Sequence, residues 1–212
     1  MLIMIVALLI VILAVAFLSA VEYQSRRRKY PPEITRKFIH ISGGTVAAFT
    51  PWFLSWHQVE AIAAALFVII LIARIFHILD SINSVTRASL GDLLFAASIF
   101  LVAVIANDRL IFAAAILQMG LADGLAAVVG TKYGERTAYK VFGRRKSLIG
   151  SFTFYLCSLV ILAWYLVIGH ISGNWAMLIW LPLVATGLEA VGLDGTDNLI
   201  IPVVVSLILN RL

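Results

Sequence analysis

The sequence predicts an all-α integral membrane protein, a multispanning bundle of about seven to eight transmembrane helices with its N-terminus outside. Three observations carry this reading. Hydrophobic residues make up 62% of the 212-residue chain and charged residues only 13%, where a soluble domain carries about a quarter charged residues. Apolar runs near the length of a membrane span recur from end to end. The basic residues collect in alternate loops, as they do on the cytoplasmic side of membranes. A single cysteine, Cys157, excludes both a disulfide framework and a thiolate metal centre.

The runs fall at 2–21, 38–56, 59–76, 90–106, 109–130, 148–169, 175–192 and 197–210. The first has no basic residue ahead of it and is followed by Arg26, Arg27, Arg28 and Lys29. Those flanks describe an uncleaved anchor, residues 1–21, rather than a secretory signal. The last two runs contain Pro182 and Pro202, each of which removes a helix hydrogen bond. Alternating sides from an outside N-terminus puts all of the 16 basic residues except Arg109 and Arg211 on the inside. All of the 11 acids except Glu60 and Asp108 share that side. Acids contribute little to topology, so their clustering points to chemistry facing the cytoplasm. No repeat or linker divides the chain, which reads as one transmembrane domain, 1–212.

Within the fifth run, "ADGLAAVVGTKYG" places Asp123, Ala127, Gly130 and Gly134 on one helical stripe. The glycines alone suit close helix packing. The acid is not explained that way, because an ionised group inside a membrane segment costs about 2.5–3.5 kcal/mol and marks a functional candidate. The next segment supplies Lys132, Arg136, Lys140, Arg144, Arg145 and Lys146, then Ser147, Gly150 and Ser151 where the sixth run begins. Cations, hydroxyls and the free N–H groups of a helix start together suit a phosphate. A nearby carboxylate suits Mg²⁺ or another divalent cation, which takes one or two protein carboxylates plus phosphate oxygens. Anionic lipid headgroups are the plainer partner for any one of these basic residues.

Other features gather on the same side. "RKFIH" sets Arg36 and His40 one turn apart with Lys37 beside them, suited to a phosphate or a headgroup. Asp92 and Asp197 open the fourth and eighth runs, where an acid is also an ordinary cap. Glu189 ends the seventh, where the helix dipole disfavours it.

Taken in order, "RKFIH", "RASLGD", "ADGLAAVVGTKYG", "KSLIGS" and "TDNLIIP" resemble the polyprenol kinase family of dolichol kinase, phytol kinase and CTP-dependent diacylglycerol kinase. The resemblance spans residues 35–205. It implies a membrane enzyme that moves the terminal phosphate of a nucleoside triphosphate, usually CTP, onto the hydroxyl of a lipid alcohol. It implies Asp123 at the nucleotide and metal site, with Gly130, Gly134, Lys146, Ser147, Gly150 and Ser151 around the phosphates; charge neutralisation during phosphoryl transfer adds Lys132 beside Lys146. Glu189, Asp197 and Asn198 would complete the metal side, and Asp92 or Asp123 would take the hydroxyl proton. The chain departs from the family in carrying Leu148 and Ile149 inside "KSLIGS".

The expected partners are therefore a lipid alcohol, a nucleotide and membrane lipids, with no role for nucleic acid. A CDP-lipid-forming cytidylyltransferase would use the same parts and release pyrophosphate. An ion-coupled transporter would instead place Asp92, Asp123 and Glu189 at the midplane of broken helices.

Overall fold

The computed structural model describes residues 32–76, 90–171 and 175–211, together with Ile12, Ala16, 19–21, Tyr23, Gln24 and Arg27. Most of the anchor expected at 2–21, most of the basic cluster after it, and Arg87 of "RASLGD" lie outside the described residues. The described helices are α1 (Pro32–Ala48), α2 (Trp56–Ile75), α3 (Gly91–Ile105), α4 (Arg109–Leu117), α5 (Gly124–Tyr133), α6 (Leu148–Ile168), α7 (Met177–Val191) and α8 (Asp197–Leu209). A π turn, Gln118–Asp123, joins α4 to α5 into one rod. Two short strands, β1 (Ala138–Val141) and β2 (Arg144–Ser147), stand between α5 and α6.

Local chemistry accounts for most of the boundaries. The run expected at 38–56 is shifted to Pro32–Ala48, because Pro51 closes a short 3-10 turn, Thr50–Trp52, instead of continuing the helix. Ser55 and Gln58 then form a reciprocal cap that starts α2. Asp108 caps α4 by accepting from the N–H groups of Leu110 at 2.7 Å and Ile111 at 3.0 Å. Both prolines in the last two runs sit inside continuous helices, Pro182 in α7 and Pro202 in α8. The segment expected to be a basic loop is an antiparallel hairpin with Val141 opposite Arg144. Its two turn residues, Phe142 at φ 46° and Gly143 at φ 77°, both take the left-handed conformation such tight turns require.

Three helical rods, Trp56–Ile75, Arg109–Tyr133 and Leu148–Ile168, are long and apolar enough to cross a membrane. Gly91–Ile105, Met177–Val191 and Asp197–Leu209 are shorter apolar helices. The Arg109–Tyr133 rod is the centre of the bundle, with residues 111–120 buried without a break. Ala113, Ala114 and Ala115 are fully buried, small enough for neighbours to close in from every side. Large apolar side chains face outward elsewhere, among them Val46, Val160, Leu183 and Leu207, which suits lipid rather than water as the surrounding medium.

Candidate active site

Two close crossings bring the chemistry-bearing residues together. In the first, α1 lies across the π turn: a Cβ on Gly44 would stand 2.6 Å from the Gly120 Cα, and one on Gly120 would stand 2.7 Å from the Gly44 Cα. One turn further on, Gly124 is covered by the Ile41 side chain. Only glycine allows backbones so near. The helix phase of α1 then directs Lys37 and His40 at Asp123. Lys37 Nζ donates to Asp123 Oδ2 at 3.2 Å. His40 Nε2 lies 3.5 Å from the same oxygen and 3.0 Å from the Met119 carbonyl oxygen.

In the second crossing α5 meets α6. A Cβ on Gly150 would meet the Gly130 Cα at 3.3 Å and the Ser147 Oγ at 3.0 Å, and Gly134 is covered by the Ser147 side chain. Ser147 caps α6 by accepting from the Gly150 N–H at 3.1 Å. The hairpin is tied to this corner by a 2.8 Å hydrogen bond between Tyr139 and Ser151 hydroxyls. Its far strand carries Lys146 across to α7, where Nζ donates to the Glu189 carbonyl oxygen at 2.8 Å and to the carboxylate Oε1. Arg144 pairs with Asp194 in the turn after α7. The awkward position of Glu189 at a helix C-terminus is thus compensated by an ammonium supplied from outside its own helix.

A cleft of about 530 Å³ opens where these elements converge. Arg36, Lys37, Asp123, Lys146, Glu189 and Asp197 all border it. Gly130, Gly134, Ser147, Gly150 and Ser151 line it with them. The glycine stripe therefore serves the helix crossing and borders the cleft at once. Four other residues named from the sequence stand apart from the lining. Lys132 is exposed, its ammonium 5.1 Å from the centre of the Tyr133 ring. His40 is buried behind Asp123. Asn198 turns its amide to the Gly91 carbonyl at 3.0 Å, and Asp92 lies in the first turn of α3. Thr131, Glu135 and Arg145 also line the cleft. Of these, Arg145 is among the basic residues named from the sequence, whereas Thr131 and Glu135 are not.

The electrostatics are mixed in a telling way. Burial alone would favour a neutral Lys146. The Glu189 carboxylate and its hydrogen bond, reinforced by Asp197 and Asp123, outweigh that and hold its pKa above the ordinary lysine value. Glu189 is only 6% exposed, and its Oε2 has no hydrogen-bond partner among the described residues. A buried carboxylate oxygen left open beside a cleft is a group awaiting a ligand. Among the described residues no three His, Cys, Asp or Glu side chains converge into a metal cage. One or two carboxylates beside cations in a cleft would suit a Mg²⁺ ion whose other ligands arrive with phosphate. The donor set fits a metal-bearing polyanion better than a bare anion, which so many acids would repel.

Over 206 aligned residues the chain is 35% identical to a protein of Synechocystis sp. named phytol kinase, covering 90% of this chain and 85% of that one. No family model matches the chain, and no solved structure matches it.

Proposed function

The chain belongs to the polyprenol kinase family, and from that premise we propose that it transfers the terminal phosphate of CTP to the hydroxyl of an isoprenoid alcohol such as phytol. The observation that carries this reading is the pairing of Lys37 with Asp123 and of Lys146 with Glu189 in the lining of one cleft. Phosphoryl transfer asks a protein chiefly to align two oxygens and to neutralise charge on the moving group. Two ammonium groups and a set of acids in one partly buried cleft supply that function.

Lys37 and Lys146 rest on carboxylates, and an entering triphosphate competes for both. Each ammonium can turn from carboxylate to phosphate oxygen without leaving the cleft, since lysine is a flexible point charge. Arg36 and Arg145 on the rim hold the outer phosphates. Asp123, Glu189 and Asp197 would hold Mg²⁺, which supplies charge neutralisation on the phosphates. Of the two acids considered for the hydroxyl proton, Asp123 borders the cleft, so it accepts or orients that proton.

The reading also places a multi-pass chain in the membrane with this cleft on the cytoplasmic side, where the basic loops lie and nucleotide is available. The alcohol's hydroxyl comes to the cleft at headgroup depth while its tail stays among apolar helix faces. The test is a phosphorylation assay on purified protein, crossing labelled nucleotides with a panel of lipid alcohols. Labelled lipid phosphate with release of nucleoside diphosphate supports the proposal. Pyrophosphate release would replace it with a cytidylyltransferase, and transfer to no alcohol would overturn it.

A further inference from the structure

We propose that His40 is a positioning residue for Asp123, holding the π turn that aims the carboxylate into the cleft, and not a ligand for phosphate. This rests on the proposed role of Asp123 in phosphoryl transfer. The His40 side chain is 6% exposed and lies outside the cleft lining, so an incoming anion meets Lys37 and Arg36 first.

The partners of the ring identify its role. Nε2 faces two acceptors, the Met119 carbonyl oxygen at 3.0 Å and Asp123 Oδ2 at 3.5 Å. A nitrogen between two acceptors must carry the proton, so the ring is the Nε2–H tautomer. Its face packs on Phe95 with centroids 4.7 Å apart, and its helix is fixed at the Gly44–Gly120 contact. The ring cannot easily swing away.

Met119 is the second residue of the π turn. A π turn inserts one residue into the helical register, and each residue advances the helix by about 100°. Whether that turn is kept therefore decides whether Asp123 faces Lys37 and the cleft or points elsewhere on the rod. A buried carbonyl in an irregular turn needs a donor, and His40 supplies one from a neighbouring helix. The same N–H stands beside the carboxylate oxygen that Lys37 holds, so one ring couples the backbone turn to the acid it carries.

The experiment compares His40→Leu, His40→Gln and His40→Asn in purified protein. Glutamine can place an amide N–H where Nε2 stands; asparagine, one carbon shorter, cannot. His40→Leu should lower kcat by about 10- to 100-fold, the range for residues that orient a ligand-holding group, with KM for nucleotide changed by no more than about twofold. His40→Gln should return to within about threefold of the unaltered protein, and His40→Asn should stay near the leucine level. If the leucine variant fails to fold, the contrast between the two amides decides. A raised KM at constant kcat would assign His40 to the ligand and overturn the proposal, as would equal activity in the glutamine and asparagine variants. Nitrogen NMR of histidine-labelled protein, with the His40 signal identified by its loss in His40→Gln, reads the tautomer without any turnover. An Nδ1–H ring overturns the proposal. Should the unaltered protein phosphorylate nothing, the kinase reading fails while the tautomer still reports on His40.

Discussion

Lys146 and Glu189, 43 positions apart in the chain, meet in the lining of the cleft, the lysine donating to both the backbone carbonyl and the side-chain carboxylate of the glutamate. One residue is on a hairpin strand and the other on the last turn of α7. Their contact closes the ring of elements around the candidate site.

Removing one partner of that pair should separate stability from catalysis. Lys146→Met leaves the Glu189 carboxylate buried without its cation, a change that costs about 3–5 kcal/mol where a buried pair is broken. Adding Glu189→Gln removes the uncompensated charge and should recover most of the melting temperature in detergent. Activity should remain lost in both variants. Recovery of activity along with stability would make the pair purely structural.

The same pair sets an alkaline limit. The Lys146 pKa is raised above the lysine value of 10.5, so its stabilising contribution is fully present below the unfolded value and fades as pH rises through the folded one. Thermal melts should show no loss from this group between about pH 6 and 9 and a decline above about pH 10. Lys146→Met should lack its share of that decline. Titration of this lysine near neutrality would contradict the expectation.

Asp123→Asn preserves shape while removing the charge opposite Lys37. Turnover should fall by roughly 10²–10³ or more, the scale of losing one electrostatic contact to a reacting group, with expression retained. Initial rates in the phosphorylation assay check it, and rates within about threefold of the unaltered protein would remove Asp123 from the chemistry.

Neighbouring glycines in α1 should behave differently. A Cβ on Gly44 would press into Gly120, whereas one on Gly43 meets nothing within 4 Å. Gly44→Ala should destabilise by about 1–3 kcal/mol, as overpacking does, and lower activity by moving Lys37 off Asp123. Gly43→Ala should leave both unchanged. Melting curves and rates for the two variants distinguish a specific crossing from a general need for flexibility.

Much of this site was legible before any coordinates. Asp123 stood out because a charge among apolar residues needs a reason, and Lys146, Ser147, Gly150 and Ser151 stood out as a cation and small groups at a helix start. All of them border the cleft. Glu135, in the 3-10 turn before the hairpin, was not singled out, and Arg145 stood only as one of a run of basic residues, because the hairpin that carries it is only four residues to a strand. So short a strand, with a Phe-Gly turn in place of Asn-Gly, leaves little periodic signal. The π turn was equally invisible, since one inserted residue hardly disturbs a hydrophobic pattern.

Sequence by itself determined the helical rods and the identity of the acids and lysines, because these follow from apolar length, period and the expense of burying ions. Tertiary structure alone decided which acid holds which lysine, and that His40 lies buried against Asp123, outside the cleft lining. Such pairings depend on where two helices cross and on a single residue of register in the Asp123 rod. Those are set by backbone contact at Gly44–Gly120 and Gly130–Gly150, between segments that local pattern does not relate.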